Sequence, residues 1–435
     1  MPTGPRIYNL FPLLAGAMAD WHRHLPRIAG MGFDWIYVNP FHYPGASGSL
    51  YAVQDPHRLH PVIQGDSPED QATLVRRFTD AAAQHGIRVM ADLVINHTAK
   101  DAKLADEHPE WYLREQDGSI YSPRAVAAEN PKKVTVWGDL GELNYESAEH
   151  RDAQLAYWQD IIRTYVEQGI RGFRCDAAYQ VGAEIWHPVI VAAREIDPGT
   201  LFAAETLGCT PKQVVALKQA GFDYLFNSSK WWDFGEPWLL EQYNAFRTIA
   251  PSIAFPESHD TPRLVTEVEG DAEKQYRLRY LFAAAFSSGI MMPMGYEYGF
   301  EKKLHVVESR PEDWAREADH PRFDLTGFIG AANRMKADTP VLNVEGYQDL
   351  LTPEDEQPVA LARYDAGAPE EARQCAVTLV NPDPQTLAVL SLRLPRLADG
   401  RPPHLSEVTP ERPAQPLNEN EPVELGPLEV RVFAG

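Results

Sequence analysis

The strongest constraint on this fold is a recurring pattern: a short apolar run, set between helical stretches, that stops at a titratable side chain. Ile87 to Ile95 runs into Asn96-His97. Gly169-Ile170-Arg171-Gly172-Phe173-Arg174-Cys175 stops at Asp176. Leu201-Phe202-Ala203-Ala204 stops at Glu205, and Ile253-Ala254-Phe255 leads into Glu257-Ser258-His259-Asp260. Unbroken apolar runs of this length are what strands buried on both faces look like. Four more runs complete the set: Arg6–Leu13, Phe33–Pro40, Phe222–Phe226 and Gly289–Met294. Helical segments fall between them. The clearest is Glu69–Gly86, opened by Ser67-Pro68 and closed by Gly86. Another is expected at Asp20–Gly30.

Eight alternating units predict an α/β protein of the (β/α)8 TIM-barrel type, with chemistry at the C-terminal ends of the strands. The 435 residues leave room for more than a barrel. Residues 1–338 are expected to form the catalytic barrel. Lys100–Ser147 is too long for an ordinary βα loop and carries Trp111, Tyr112, Tyr121, Trp137 and Tyr145, so residues 100–147 read as a small excursion beside the cleft. From Thr339 the pattern changes to short β-type runs, Val359–Tyr364, Cys375–Val380 and Leu387–Leu392, split by Pro and Gly. Residues 339–435 therefore predict an antiparallel C-terminal β-sandwich, with Pro402–Pro422 as a surface loop.

Charge and cysteine usage narrow the function. A formal net charge of -22 repels nucleic acid and anionic membranes, which excludes both as partners. The three cysteines, Cys175, Cys209 and Cys375, have no pairing or zinc-binding spacing. Met1–Leu10 has no basic segment followed by an apolar run, and no stretch is long enough to span a membrane, so a soluble cytoplasmic protein is expected.

The strand ends carry the chemistry. Arg174 and Asp176 stand two apart on one strand and so face the same way. A neighbouring guanidinium favours the ionised form of a carboxylate, and an ionised carboxylate aimed at a cavity serves as a nucleophile. Four motifs, Asp92-Leu93-Val94-Ile95-Asn96-His97, Gly172-Phe173-Arg174-Cys175-Asp176-Ala177-Ala178, the Glu205 strand and Ser258-His259-Asp260, occur in the order found in the α-amylase superfamily. A weaker fifth, Gly141-Glu142-Leu143-Asn144, accompanies them. The chain resembles that family from about Arg6 to Asp338.

The resemblance implies a retaining glycosidase or transglycosidase acting on α-1,4-linked glucans, with the excursion as its domain B. Asp176 would be the nucleophile, Glu205 the general acid/base and Asp260 the carboxylate that grips sugar hydroxyls. Retention needs the first two carboxyls roughly 5–5.5 Å apart, and neighbouring strands are about 4.8 Å apart. The apolar approach Phe202-Ala203-Ala204 would help keep Glu205 protonated. His97 and His259 would be donors in the same subsite. Tyr51, four residues before Asp55, matches the loop whose ring stacks on the sugar. Trp231 and Trp232 are candidates for an acceptor platform or for core packing. No cofactor is expected. Asn96 is the one signal for a structural Ca²⁺, and Tyr179-Gln180 stands where a Lys-His pair is common; Ser258 likewise replaces an Asn. A non-catalytic glucan-binding barrel is the rival reading, and the presence of all three carboxylates argues against it.

Several stretches are similar to bacterial maltosyltransferases that use maltose 1-phosphate: Ala128-Glu129-Asn130-Pro131-Lys132-Lys133, His108-Pro109-Glu110-Trp111 and Glu308-Ser309-Arg310-Pro311-Glu312-Asp313-Trp314. Lys132 and Lys133 would then hold the phosphate leaving group. Three departures count against that donor. Ala177 stands where that family has Asn, Val134 stands where it has an aromatic, and the barrel begins at about Arg6 with no large N-terminal domain ahead of it.

Overall fold

The computed structural model describes residues 3–127, 130–354 and 356–435. Eight parallel strands close into a barrel: β1 (Arg6–Leu10), β2 (Trp35–Val38), β3 (Arg88–Leu93), β4 (Ile170–Cys175), β5 (Leu201–Ala204), β6 (Tyr224–Phe226), β7 (Ser252–Ala254) and β8 (Gly289–Pro293). β8 returns to pair with β1, with Ile7 opposite Met291. These are the eight runs expected from sequence, trimmed to three to six residues. The interior is filled by Ile7, Trp35, Tyr37, Met90, Ala203, Phe226, Ile253, Phe255 and Met291. Gly172 is required on β4, because a Cβ there would lie 3.0 Å from the Trp35 ring and 3.1 Å from the Leu201 carbonyl oxygen.

Register places the chemistry. Cys175 pairs with Ala204 across β4 and β5, so Asp176 and Glu205 leave adjacent strands at the same height. Arg174 pairs with Asp92 across β4 and β3.

Three local expectations need correction. Asp20–Gly30 is a 3-10 segment, Met18–His24, followed by a short α-helix, Leu25–Gly30, because Pro26 has no N–H to donate and fits only a first helical turn. The long helix runs Gln71–Gln84, and Asp70 caps it through Thr73 N–H. The stretch Gly45–Asp55, whose Gly and Ser content predicts a loop, ends in a strand, Val53–Leu59, paired with His42–Pro44.

The excursion is pinned at its base, where His97–Ala99 pairs antiparallel with Leu140–Glu142. It carries a hairpin of Arg124–Ala127 and Asn130–Val136. Beyond the barrel, six antiparallel strands form one sheet, and Ala388–Ser391 with Pro422–Leu425 form a second. Alternation along Val359–Tyr364 serves two cores. Val359 and Leu361 join the core around the barrel, whereas Ala360, Ala362 and Tyr364 join a separate cluster. Pro402–Pro422 contains two short strands, Leu405–Glu407 and Pro416–Leu417, rather than loop alone. Gln348 Nε2 donates to Phe286 O at 2.7 Å, tying the sheet to the helix Ala272–Phe286. Among the described residues no helix is long and apolar enough to cross a membrane.

Candidate active site

The site is assembled around one guanidinium. Arg174 is buried, and its Nη1 donates to Asp176 Oδ1 at 2.6 Å and lies 3.1 Å from each oxygen of Asp92. Its Nη2 is 3.9 Å from Glu205 Oε2. Three carboxyls from β3, β4 and β5 thus surround one cation. The resemblance also counts Arg174 among the substrate contacts, but in the structure it is occupied by carboxylates and acts as their holder.

Asp92 was visible in the motif but its partners were not. Tyr37 donates to Asp92 Oδ2 at 2.6 Å and Tyr51 to the same oxygen at 2.7 Å. Asn39 Nδ2 donates to both hydroxyls, at 3.1 and 2.9 Å, and Asn9 Nδ2 donates to Asn39 Oδ1 at 2.8 Å. Burial raises the Asp92 carboxyl to about 6, and Arg174 works against that rise. The available sequence signal was the i, i+2 spacing of Tyr37 and Asn39 at the end of β2, which points both the same way.

Tyr51 also bridges to the imidazole. Its hydroxyl lies 2.7 Å from His259 Nε2, and the two rings are parallel within 4°. One hydroxyl proton cannot serve both neighbours. With Asp92 ionised it goes to the carboxylate, and His259 then carries its proton on Nε2. Nε2 is also 3.2 Å from Asp260 Oδ2. Burial lowers the His259 pKa, so the ring stays neutral, and its buried Nδ1 has no partner. Both ring nitrogens of His97 are likewise buried and unpartnered, and burial lowers that pKa too. Buried polar atoms that the protein itself leaves unpaired at a barrel mouth are open to hydrogen bonds from water or a polar ligand.

Glu205 is set for proton donation. Ala177 N–H donates to its Oε2 at 2.7 Å and Leu207 N–H to its Oε1 at 3.2 Å. Burial pushes its carboxyl up to about 8; Arg174 opposes this, and the negative charges of Asp176 and Asp260 add to it. Asp260 is the most open of the three carboxylates, with 58% of its side chain exposed. Ser258, the departure beside it, accepts from Asp260 N–H through Oγ at 3.3 Å and so braces the turn.

The remaining expected contacts divide. Asp55 is buried and committed to Lys103 Nζ at 2.5 Å and to His57 N–H at 3.0 Å, which holds the hairpin in place. With His97 it lines a cavity of about 410 Å³ between the Val53–Leu59 strand, the end of β3 and the helix Arg151–Glu167. Trp232 is corrected to core: it is 1% exposed and packs on Phe234 and Phe282. Trp231 remains open to solvent. The Lys132 and Lys133 side chains, with Ala128 and Glu129, lie outside the described residues. Asn96 gives its amide to Gln180 Oε1 at 3.0 Å, leaving only Oδ1 free. Among the described residues no group of three or more His, Cys, Asp or Glu side chains is placed to hold a metal ion. That donor set falls short of the six to eight oxygens that Ca²⁺ takes.

The chain is similar to known proteins in sequence and in fold. Residues 6–117 match the family model described as glycogen debranching enzyme, glucanotransferase domain. An α-1,4-glucan:maltose-1-phosphate maltosyltransferase from Burkholderia pseudomallei is 29% identical over 423 residues, covering 93% of this chain and 36% of the relative. One of the same name from Chlorobaculum tepidum is 25% identical over 371 residues, covering 78% of this chain and 52% of the relative. The chain therefore spans only a third to a half of the length of these relatives. Among solved structures, a maltogenic α-amylase from Thermotoga neapolitana superposes with a TM-score of 0.75 at 19% identity, covering 99% of this chain and 98% of that one. An α-amylase from Lactobacillus plantarum gives 0.73 at 20% identity, with the same coverage. At these identities the structural likeness speaks for the fold.

Proposed function

We propose, for a chain whose fold, motif order and relatives all fit the α-amylase superfamily, a retaining glycosidase or transglycosidase of α-1,4-linked glucans. The observation that carries the reading is the pair of carboxyls on adjacent strand ends. Asp176 is bound to Arg174 at 2.6 Å, and Glu205 is raised to about 8 beside it.

In this mechanism Asp176 Oδ attacks the anomeric carbon as the glycosidic C–O bond breaks. Glu205 gives its proton to the departing oxygen, so the leaving chain departs as an alcohol. A covalent glycosyl ester on Asp176 results. Glu205, now a carboxylate, takes a proton from water or from a sugar hydroxyl, which attacks the same carbon and frees Asp176. Asp260 and the unpartnered nitrogens of His97 and His259 supply hydrogen bonds to ring hydroxyls. Such bonds accelerate the reaction only as far as they strengthen in the transition state.

One observation favours a second reading within the same chemistry. The relatives that align across most of the chain are named maltose-1-phosphate maltosyltransferases. There phosphate, rather than a sugar alcohol, would leave the anomeric carbon as Asp176 attacks it. Ala177 and Val134 are the residues that depart from that pattern.

The test is incubation with maltoheptaose, with and without inorganic phosphate, and mass spectrometry of the products. Shorter sugars regardless of phosphate support the glycosidase reading. Maltose 1-phosphate formed only with phosphate supports the second. No product in either arm contradicts both.

A further inference from the structure

We infer that the cavity of about 410 Å³ beside the excursion is a second binding site, for one neutral hexose, separate from the cleft of Asp176 and Glu205. None of Tyr51, Asp176, Glu205, His259 and Asp260 lines it. Its walls come from the strand Val53–Leu59, the start of the excursion at residues 98–107 and the helix Arg151–Glu167, with the end of β3 as the floor. His57 and Arg58 are exposed and also line a shallow surface groove with Tyr43 and Gln64, and this is the way in.

Size and surface point to a small sugar. At about 30 Å³ per water the cavity has room for roughly a dozen waters, and a hexose has a similar number of non-hydrogen atoms. Apolar wall comes from Leu93, Val94, Leu104 and Ile161. Aromatic wall comes from Trp158 and Tyr157, packed edge-on with centroids 5.0 Å apart and planes at 78°. The C–H faces of a sugar ring pack well on such surfaces.

Hydrogen-bonding capacity is left over beside the apolar wall. Asp55 accepts from Lys103 Nζ and from His57 N–H, which uses two of a carboxylate's roughly four lone-pair sites. Lys103 gives Asp55 one of its ammonium protons and keeps the others. His97 is buried with both ring nitrogens unpartnered, and it stands in the wall shared by the cavity and the barrel mouth. A hydroxyl both donates and accepts, so a polyol suits a wall that offers an acceptor, a donor and an imidazole together. Charge argues against an anion, because the wall acids Asp55, Asp92 and Glu107 outnumber Lys103 and Arg58. The Arg58 guanidinium is moreover laid over the Tyr43 ring, 4.1 Å from its centroid. A metal ion is argued against by the donor set, since the described residues place no three His, Cys, Asp or Glu side chains to hold one.

The test uses D-glucose as the probe and the full chain carrying Asp176→Asn, so that nothing turns over. Maltoheptaose is titrated first, by calorimetry, to read the cleft alone. Absence of binding there counts against the glucan reading, and the cavity is then read with glucose directly. With the cleft saturated, one glucose per chain is expected to bind still. Leu104→Trp, which fills the cavity, should weaken that binding by about tenfold, or about 1.4 kcal/mol, and leave maltoheptaose affinity unchanged. Tyr157→Phe keeps the ring, removes one hydroxyl and should weaken glucose by about threefold, the weight of one hydrogen bond. It decides the matter if Leu104→Trp does not fold. Unchanged glucose affinity in the folded variants overturns the site. So does the absence of glucose binding once the cleft is saturated, which makes the cavity a pocket for water only.

Discussion

The backbone N–H of Ala177 donates to Glu205 Oε2 at 2.7 Å, from a residue whose φ is +40°. The residue after Asp176 is thus turned into the left-handed region, and the turn aims a peptide dipole at the Glu205 carboxyl. For an L-residue other than Gly or Asn this backbone costs about 1–2 kcal/mol. The strain falls between Asp176 and Glu205, the two carboxyls the proposed mechanism uses, and strained backbone tends to sit at functional sites.

Ala177→Asn follows from that geometry. Asn visits this conformation readily, so the variant should unfold at the same urea concentration or a higher one, within about 1 kcal/mol. It also restores the amide of the maltosyltransferase pattern. If maltose 1-phosphate is the donor, mass spectrometry should show faster maltose 1-phosphate turnover in the variant. A loss of stability would contradict the backbone argument.

The pH profile should report Glu205. Its carboxyl is raised to about 8 by burial, so the proton donor is present below that pH and lost above it. kcat/KM for maltoheptaose should fall as pH rises through about 8. Glu205→Gln should remove this limb and slow substrates with poor leaving groups by about 10²–10⁴-fold. Stability moves the same way. The folded state keeps a proton that the unfolded chain releases above its ordinary carboxyl range, so this group's contribution declines with rising pH and levels off above about 8. An unshifted alkaline limb in Glu205→Gln would remove the acid/base assignment.

Tyr51→Phe keeps the ring over His259 and deletes the hydroxyl shared by Asp92, Asn39 and His259. Leaving buried partners unsatisfied costs about 1–3 kcal/mol. If the hydroxyl's work is to align the site, that cost should appear as about a 10- to 100-fold fall in kcat/KM. Steady-state kinetics on maltoheptaose check it; a variant with wild-type kcat/KM would show that the bridge does not align the site.

Glu257, just before Ser258-His259-Asp260, is fully buried and accepts from Arg263 Nη1 at 2.8 Å and Leu264 N–H at 2.6 Å. Glu257→Ala strands a buried guanidinium and should destabilise the fold by about 3–5 kcal/mol. Chemical denaturation gives the number. A change below about 1 kcal/mol would mean that the pair behaves like a surface ion pair.

The barrel was legible because its strands are continuous apolar runs with titratable residues at their ends. Asp176 and Glu205 were each marked by an apolar run halting at an acid; the run before Asp260 meets Glu257 first, and the Ser258-His259-Asp260 motif marked Asp260. The parts that could not be read are pairings between distant segments. Asn9 with Asn39, Tyr37 with Asp92 and Asp55 with Lys103 lie 30, 55 and 48 residues apart, and nothing local to any of them names its partner. The two adjacent tryptophans show the same limit. Trp231 and Trp232 have opposite exposures because a 3-10 turn, with no periodic signal in the sequence, points one outward and the other in.

The central claim is that Asp176 becomes covalently glycosylated. The direct measurement is to trap the intermediate with a 5-fluoro-α-glycosyl fluoride, whose glycosyl-enzyme hydrolyses slowly, and to map the adduct by peptide mass spectrometry. One added glycosyl mass is expected on the peptide containing Asp176, and none in Asp176→Ala. An adduct on another residue, or release of fluoride through turnover with β-anomeric product and no adduct, would contradict it.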